Sequence, residues 1–321
     1  MLPQTSWQLH ELDMALAHTP VLLDEFVELV APAEGDVAVD CTFGAGGHAA
    51  AVAAQLGASG MLFAIDRDPH IVEFYGDVVR GAPCQCRLFQ GNFADVLATL
   101  DDASADIVYM DLGVSSMQID RRERGFSYAY DAPLDMRMDP DLPLSAADLV
   151  NTLSEGDLAD IFRRYGEERY AKSIARGIVA ARATRPIVTT CELVEIIKCR
   201  IPTPARFGAG NPARRVFQAL RIAVNDELRS LALGLDEAFR VLKPGGRLAA
   251  ISFHSLEDRM VKSFFREKAA GCVCPPGLPQ CACGHAPTMR LLTRRSLAPT
   301  PREVELNPRS KSARLRVAVK L

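Results

Sequence analysis

Four short strand-like runs, each closing on a polar or glycine-containing turn, organise the first third of the chain. They are Val37-Ala38-Val39 before Asp40, Met61 to Ile65 before Asp66, Cys86 to Phe89 before Gly91-Asn92-Phe93, and Asp106 to Met110 before Asp111. Apolar runs of this length read as buried parallel strands. The alanine-rich stretch Ala49 to Leu56 between the first two reads as a helix. Further on the period changes. Leu144 to Asn151, Ser154 to Tyr165, Glu168 to Arg182 and Cys191 to Arg200 read as helices, with Tyr170, Ile174 and Ile178 at helical spacing. Thr203 to Pro212 is a breaker-rich loop. Ala213 to Leu242 then reads as one helix, Lys243-Pro244-Gly245-Gly246 as a turn and Arg247 to Ser252 as a strand. Strict alternation in Leu315 to Leu321 predicts a half-exposed antiparallel strand.

Alternating strands and helices interrupted by a helical stretch predict a split α/β domain. Residues 1–139 form the first part of the sheet, 140–215 a helical insert and 216–321 the remainder, with a cysteine-rich segment at 272–285.

The first strand opens into Cys41-Thr42-Phe43-Gly44-Ala45-Gly46-Gly47-His48, and the second ends on Asp66. Strand, glycine turn, helix, strand and terminal acid make a nucleoside-binding βαβ unit. Gly46 and Gly47 let the backbone approach a ligand, or a neighbouring element, where a Cβ would collide. Asp66 can accept the hydroxyls of a ribose. The loop also fits the dinucleotide fingerprint, a weak signal by itself. Asp40 at its mouth argues against a pyrophosphate and for a cationic ligand with an amino acid tail. Phe93 suits an adenine plane and Asp111 a donor beside it. Together these point to S-adenosylmethionine.

Several blocks then resemble one family. Asp40 to His48, Ala64-Ile65-Asp66-Arg67-Asp68-Pro69, Asp111-Leu112-Gly113-Val114-Ser115-Ser116, Arg124-Gly125-Phe126-Ser127 and Pro133 to Met138 carry the likeness. So do Tyr165 to Arg169, Phe217 to Arg221, Ile251 to Arg259 and the opening His18 to Leu23. They are similar to the bacterial 16S ribosomal RNA (cytosine-N4)-methyltransferase family, RsmH or MraW. The resemblance implies a Rossmann-like class I S-adenosylmethionine-dependent methyltransferase sheet with a helical insert. It implies methylation of a cytidine in the small-subunit decoding region, with 16S rRNA, naked or assembled, as partner. It also implies that His48 contacts the cofactor.

Displacement at a sulfonium methyl needs alignment more than acid catalysis, because the leaving group departs neutral. For cytosine N4, oxygen acceptors on the N–H groups favour the nucleophilic nitrogen. Asp111, Ser115 and Ser116 are the candidates after the fourth strand, with Gln118 near enough in sequence to touch cofactor or base. The Asp/Asn-Pro-Pro-aromatic tetrad of many amino-methyltransferases is replaced here by Asp111-Leu112-Gly113-Val114. His254, after the fifth strand, could take the released proton, orient the base or simply cap the strand end.

Composition adds three points. The chain has 321 residues, 48% of them apolar, which suffices for a substantial core. No apolar run approaches the ~20 residues of a membrane span, and no signal-peptide pattern opens the chain, so a cytoplasmic protein is expected. Net charge is only −3, yet Arg290 to Leu321 carries nine Lys/Arg against two Glu, and Arg200 to Arg221 carries five arginines and no acid. These stretches could track a phosphate backbone or be merely solvated surface.

Nine cysteines without an export signal point to reduced thiols or a metal site. Cys272, Cys274, Cys281 and Cys283 form two C-x-C pairs that could close around a structural Zn²⁺, or sit as free thiols on a loop. Two other function classes stay open on sequence: an NAD-dependent oxidoreductase, separable by comparing NADH with S-adenosylhomocysteine in a binding titration, and a non-catalytic rRNA-binding assembly factor. Intact Asp40, Asp66 and Asp111 argue against the second.

Overall fold

The computed structural model describes residues 20–203, 211–272, 274 and 283–321, without the side chains of Val72, Glu73 and Ser116. The chain divides into two compact units. One comprises the described residues of Met1–Gly113 and Ser230–Leu321, the other those of Val114–Arg229.

The first unit opens with helix α1 (Leu23–Val30), then β1 (Val37–Asp40), α2 (Gly47–Leu56), β2 (Met61–Asp66), α3 (Val72–Gly81), β3 (Gln85–Gln90), α4 (Phe93–Leu97) and β4 (Ala105–Asp111). The second unit supplies α5 (Ser116–Asp120), α6 (Ala146–Thr152), α7 (Glu155–Gly166), α8 (Ala171–Arg182), α9 (Thr190–Arg200) and α10 (Ala213–Asn225). After it come α11 (Glu227–Val241), β5 (Leu242–Ser252), α12 (Ser255–Lys268), β6 (Met289–Leu291), α13 (Pro301–Leu306) and β7 (Arg314–Lys320).

The sheet has seven strands in the order β3-β2-β1-β4-β5-β7-β6. The β1–β2, β2–β3, β1–β4 and β4–β5 pairs are parallel, and β7 runs antiparallel to β5 and β6. This is the expected class I methyltransferase order. Strand order reverses between β1 and β4, which opens a crevice at their carboxyl ends. On α2, Ala49, Val52, Ala53 and Leu56 recur at helical spacing and are buried. Two apolar layers sandwich the sheet: one contains Phe26, Val52, Leu62 and Val317, the other Leu97, Met110, Leu231 and Phe265. None of the helices among the described residues is long and apolar enough to cross a membrane.

Three expectations need correction. The single helix from Ala213 to Leu242 breaks at Asp226, whose φ of 49° is left-handed. Aspartate tolerates that conformation better than most residues. Just before the break, buried Asn225 donates to Met136 O at 2.8 Å and accepts from Met138 N–H at 2.7 Å. The turn at Lys243 to Gly246 is a bulge inside β5: pairing jumps from Ala105–Leu242 to Ile107–Arg247. Strand β7 is not half-exposed, because β6 and α12 cover it. Arg316 is buried and Lys320 half-buried, and both are paired. Arg316 makes a two-point ion pair with Asp258 at 2.8 and 3.1 Å. Lys320 donates to the carbonyls of Phe239 and Leu242, each at 2.7 Å.

The helical unit has its own core, with Leu134, Val150, Phe162, Ile174, Ile197 and Leu220 among its members.

Candidate active site

Three carboxylates stand at the carboxyl ends of neighbouring strands: Asp66 on β2, Asp40 on β1 and Asp111 on β4. Thr42 ties the last two together. Its N–H donates to Asp40 Oδ1 at 2.9 Å, and its Oγ1 accepts from Asp111 N–H at 2.6 Å.

Asp40 is only 1% exposed. Burial pushes its carboxyl up to about 7, with the charges of Asp111 and Asp66 adding to the rise against the Thr42 hydrogen bond. Asp66 Oδ2 accepts from Gly44 N–H at 2.8 Å and Oδ1 from Asp68 N–H at 3.0 Å. Burial raises its pKa as well, opposed by those two bonds. Each oxygen keeps a lone pair for a ligand. Asp111 is likewise pushed up to about 7, by burial and then by the Glu257 carboxylate. Its Oδ1 is buried and, among the described residues, has no hydrogen-bond partner. An orphaned acceptor of this kind calls for an N–H or O–H from outside the chain.

The glycine loop turns through left-handed Gly44 and Gly46. Space is as restrictive as backbone here. A Cβ on Gly46 would lie 2.6 Å from Val78 Cγ2, and one on Gly47 would lie 2.3 Å from Pro20 Cγ. Close packing therefore requires both glycines, whatever the loop binds.

His48 lies in the first turn of α2, 6% exposed, with Nε2 3.0 Å from Val21 O and Nδ1 3.5 Å from Asp111 Oδ2. A carbonyl can only accept, so Nε2 carries the proton and Nδ1 presents a lone pair. Burial pulls the imidazole down to about 4 against the Val21 contact, which keeps it neutral. Phe26 packs edge-on to the ring. The structure thus turns His48 towards α1 and Asp111.

Phe93 is 9% exposed and sits in the core beside Leu97 and Leu231. A Cβ on Gly234 of α11 would lie 2.2 Å from its Cε2, so α11 packs directly against the ring.

His254 is the N-cap of α12. Its Nδ1 accepts from Glu257 N–H at 3.3 Å, while buried Glu257 returns Oε2 to Phe253 N–H at 2.8 Å and His254 N–H at 3.1 Å. This reciprocal capping box uses Nδ1 as an acceptor, so the proton resides on Nε2. With Nδ1 in the cap and Nε2 3.0 Å from Glu257 Oε1, both ring nitrogens of His254 face the first turn of α12.

The chain matches the MraW methylase family over residues 15–321. The chain belongs to that family. Among similar curated proteins, the ribosomal RNA small subunit methyltransferase H of Symbiobacterium thermophilum is 52% identical over 311 residues, covering 96% of this chain and 98% of the relative. That of Heliobacterium modesticaldum is 47% identical over 312 residues, covering 96% and 100%. The Geobacter sulfurreducens protein of the same name is 49% identical over 318 residues, covering 96% and 100%. Membership of a methylase family decides the enzyme class against hydride transfer.

In this MraW family chain, Ser115 and Gln118 fall in the helical unit. There they form the capping box of α5: Gln118 N–H donates to Ser115 Oγ at 3.3 Å, and Ser115 N–H to Gln118 Oε1 at 3.2 Å. Ser116 is the first helical residue, and its side chain lies outside the described residues. Arg124 donates to the carbonyls of Arg137 and Met138 at 2.9 and 2.8 Å, and Tyr128 packs edge-on to Phe217. Of the 200–221 arginines, Arg221 makes a two-point ion pair with Glu227 at 2.8 Å each, whereas Arg214 and Arg215 lie exposed. Arg206 lies outside the described residues.

Cys272, Cys274 and Cys283 bring their sulfurs within 4.8 Å of one another, and Cys281 lies outside the described residues. Sequence reasoning missed Thr42 and Glu257 as organisers. Glu257 was legible in principle, since His254-x-x-Glu257 has capping-box spacing; Thr42 carried no such signal.

Proposed function

We propose that this chain transfers a methyl group from S-adenosylmethionine to N4 of a cytidine in the decoding region of 16S ribosomal RNA, in the cytoplasm. The observation that carries the reading is the row of three carboxylates at the strand-order reversal, one of them, Asp111, holding an unpartnered buried oxygen. Such a crevice repels a pyrophosphate and welcomes a cation.

Bound S-adenosylmethionine supplies an electrophilic methyl group on a sulfonium that leaves as a neutral thioether. Asp66 takes the ribose hydroxyls with the lone pairs left after its bonds to Gly44 and Asp68. Asp40, too buried to reach far, holds the glycine loop through Thr42. Asp111 Oδ1 accepts an N–H of the target amine, drawing the nitrogen lone pair out of the ring and towards the methyl group. The proton lost from nitrogen after transfer passes to Asp111 or to water. His254 is a positioning residue that starts α12 beside this edge. Ser115, Ser116 and Gln118 stay proposed contributors on their nearness in sequence to Asp111, and Gly46, Gly47, His48 and Phe93 as the frame of the cofactor site. The 140–215 insert, with Arg214 and Arg215, is proposed to hold the RNA backbone.

Incubation with labelled cofactor and 16S rRNA or small subunits, followed by nucleoside mass spectrometry, tests the reading. N4-methylcytidine is expected. Label on another nucleoside, or none on either substrate, overturns it.

A further inference from the structure

The segment between α12 and β6 is closed at its base. Thr288 N–H and Oγ1 both donate to Lys268 O, at 2.8 and 3.2 Å, and His285 Nδ1 lies 2.8 Å from Gly271 O. Cys272 and Cys274 leave on one arm and Cys283 returns on the other. Pinning the arms brings the three sulfurs within 4.8 Å of one another.

The separations carry chemical information. Cys272 and Cys283 place their sulfurs 3.8 Å apart. A disulfide needs about 2.0 Å, so these two sulfurs are not bonded to each other. Sulfurs about 2.3 Å from a tetrahedral zinc stand about 3.8 Å from each other, the edge of that tetrahedron. Cys274 N–H also points at Cys272 Sγ, 3.4 Å away, the kind of donor that supports a metal-bound sulfur.

Apolar packing does not explain the gathering. Cys272 and Cys283 are exposed, and no described residue from 269 to 288 belongs to any of the three apolar cores. Where apolar packing is lacking, a metal can supply the folding energy.

We propose that Cys272, Cys274 and Cys283 hold a structural zinc ion that staples the two arms of this segment. Each thiol gives its proton to solvent as its sulfur bonds the metal, and zinc undergoes no redox change. The site is separate from the methyl-transfer crevice and does not depend on that reading.

The test uses the full chain, reduced and stripped with chelator, then titrated with Zn²⁺ alone and, separately, Co²⁺ alone. We expect one ion per chain, thiolate-to-cobalt charge-transfer absorption and the intense visible bands of tetrahedral cobalt. Cys272→Ser, Cys274→Ser and Cys283→Ser should each weaken Zn²⁺ binding by at least about tenfold, a loss of about 1.4 kcal/mol. Cys84→Ser, just before the edge strand β3, and Cys86→Ser, on it, should leave it unchanged. Cofactor binding by each variant checks that the sheet is intact, and the wild-type cobalt spectrum needs no variant. Sub-stoichiometric metal, an octahedral cobalt spectrum, or uptake that survives all three substitutions would overturn the proposal.

Discussion

His48 Nδ1 faces Asp111 Oδ2 across 3.5 Å, a lone pair turned towards a carboxyl oxygen. The opposite ring nitrogen is committed to Val21 O, so the imidazole cannot relieve the repulsion by changing tautomer. Relief has to come from the carboxyl. Burial moves both groups towards neutrality, His48 down to about 4 and Asp111 up to about 7. With a proton on Asp111, Oδ2 can offer it to Nδ1 and Oδ1 stays an acceptor.

Cofactor binding is therefore expected to release protons. In the free chain Asp111 and Asp40 ionise near 7, above the ordinary carboxylate range. A bound cation favours the charged carboxylate and lowers both values, so binding expels protons at and below that pH. Affinity for S-adenosylmethionine should fall as pH drops below about 7 and level off above it. Calorimetry in buffers of different ionisation enthalpy reads the proton count. The dependence should weaken in Asp111→Asn, whose amide can donate to His48 Nδ1 and needs no proton. A flat profile in the wild type would mean that the carboxylates do not face the cofactor's charge.

Asp66→Asn is expected to weaken cofactor binding at least about tenfold, since a charge-assisted hydrogen bond contributes about 1.5–3 kcal/mol. The free protein should lose stability too. One of the backbone donors, Gly44 N–H or Asp68 N–H, would meet an amide nitrogen instead of an acceptor. A melting curve alongside the titration separates the two effects. Unchanged affinity in a folded variant removes Asp66 from the site.

The strands, and the acids that end three of them, were legible because buried parallel strands write themselves as apolar runs that stop on a polar residue, whereas the sheet order was implied by the family resemblance. The helical unit was legible by period. What escaped depends on long-range partners. Alternation in Leu315 to Leu321 describes two faces but not that Asp258 and three carbonyls wait to satisfy Arg316 and Lys320. Phe93 sits at the right strand end for an adenine plane, yet Gly234, more than a hundred residues on, opens the space that draws the ring inward. Ser115 and Gln118 also cap each other, a role their place after the fourth strand did not reveal.

Gly234→Ala tests that last kind of packing. Alanine favours a helix by about 1 kcal/mol over glycine, but its Cβ would stand 2.2 Å from the Phe93 ring in a buried layer. Overpacking of this sort costs about 1–3 kcal/mol, so net destabilisation is expected. Combining it with Phe93→Leu should recover part of the loss. Denaturant midpoints of the two single variants and the pair give the coupling, and strict additivity would deny the contact.

Charge reversal at Arg214 and Arg215 should weaken RNA binding and leave cofactor affinity intact. Each contact to single-stranded phosphate contributes about 0.7 to the slope of log affinity against log salt, so losing both should lower it by about 1.4. Arg221→Ala is the contrast, because its guanidinium already belongs to Glu227. It should reduce stability with little change in slope. Equal slopes for the wild type and the double variant would return Arg214 and Arg215 to ordinary surface.

The proposed position of methylation is consistent with a thiol that burial keeps protonated. Transfer to cytosine C5 needs a cysteine thiolate to add at C6, because that carbon is otherwise not nucleophilic. At the carboxyl end of the sheet, the available cysteine is Cys41. It is buried, and burial together with the Asp40 charge pushes its thiol far up, so it stays protonated at neutral pH. Cys86, on the edge strand, is pushed up to about 12, by burial first and then by Cys84. N4 needs no covalent partner, only an acceptor such as Asp111 Oδ1 and a methyl group held in line. Cys41→Ser should therefore keep turnover within about threefold of the wild type, a change of less than 1 kcal/mol in the barrier. RNA carrying 5-fluorocytidine should form no adduct that survives denaturing electrophoresis. Such an adduct, or 5-methylcytidine in the digest, would move the chemistry from nitrogen to carbon.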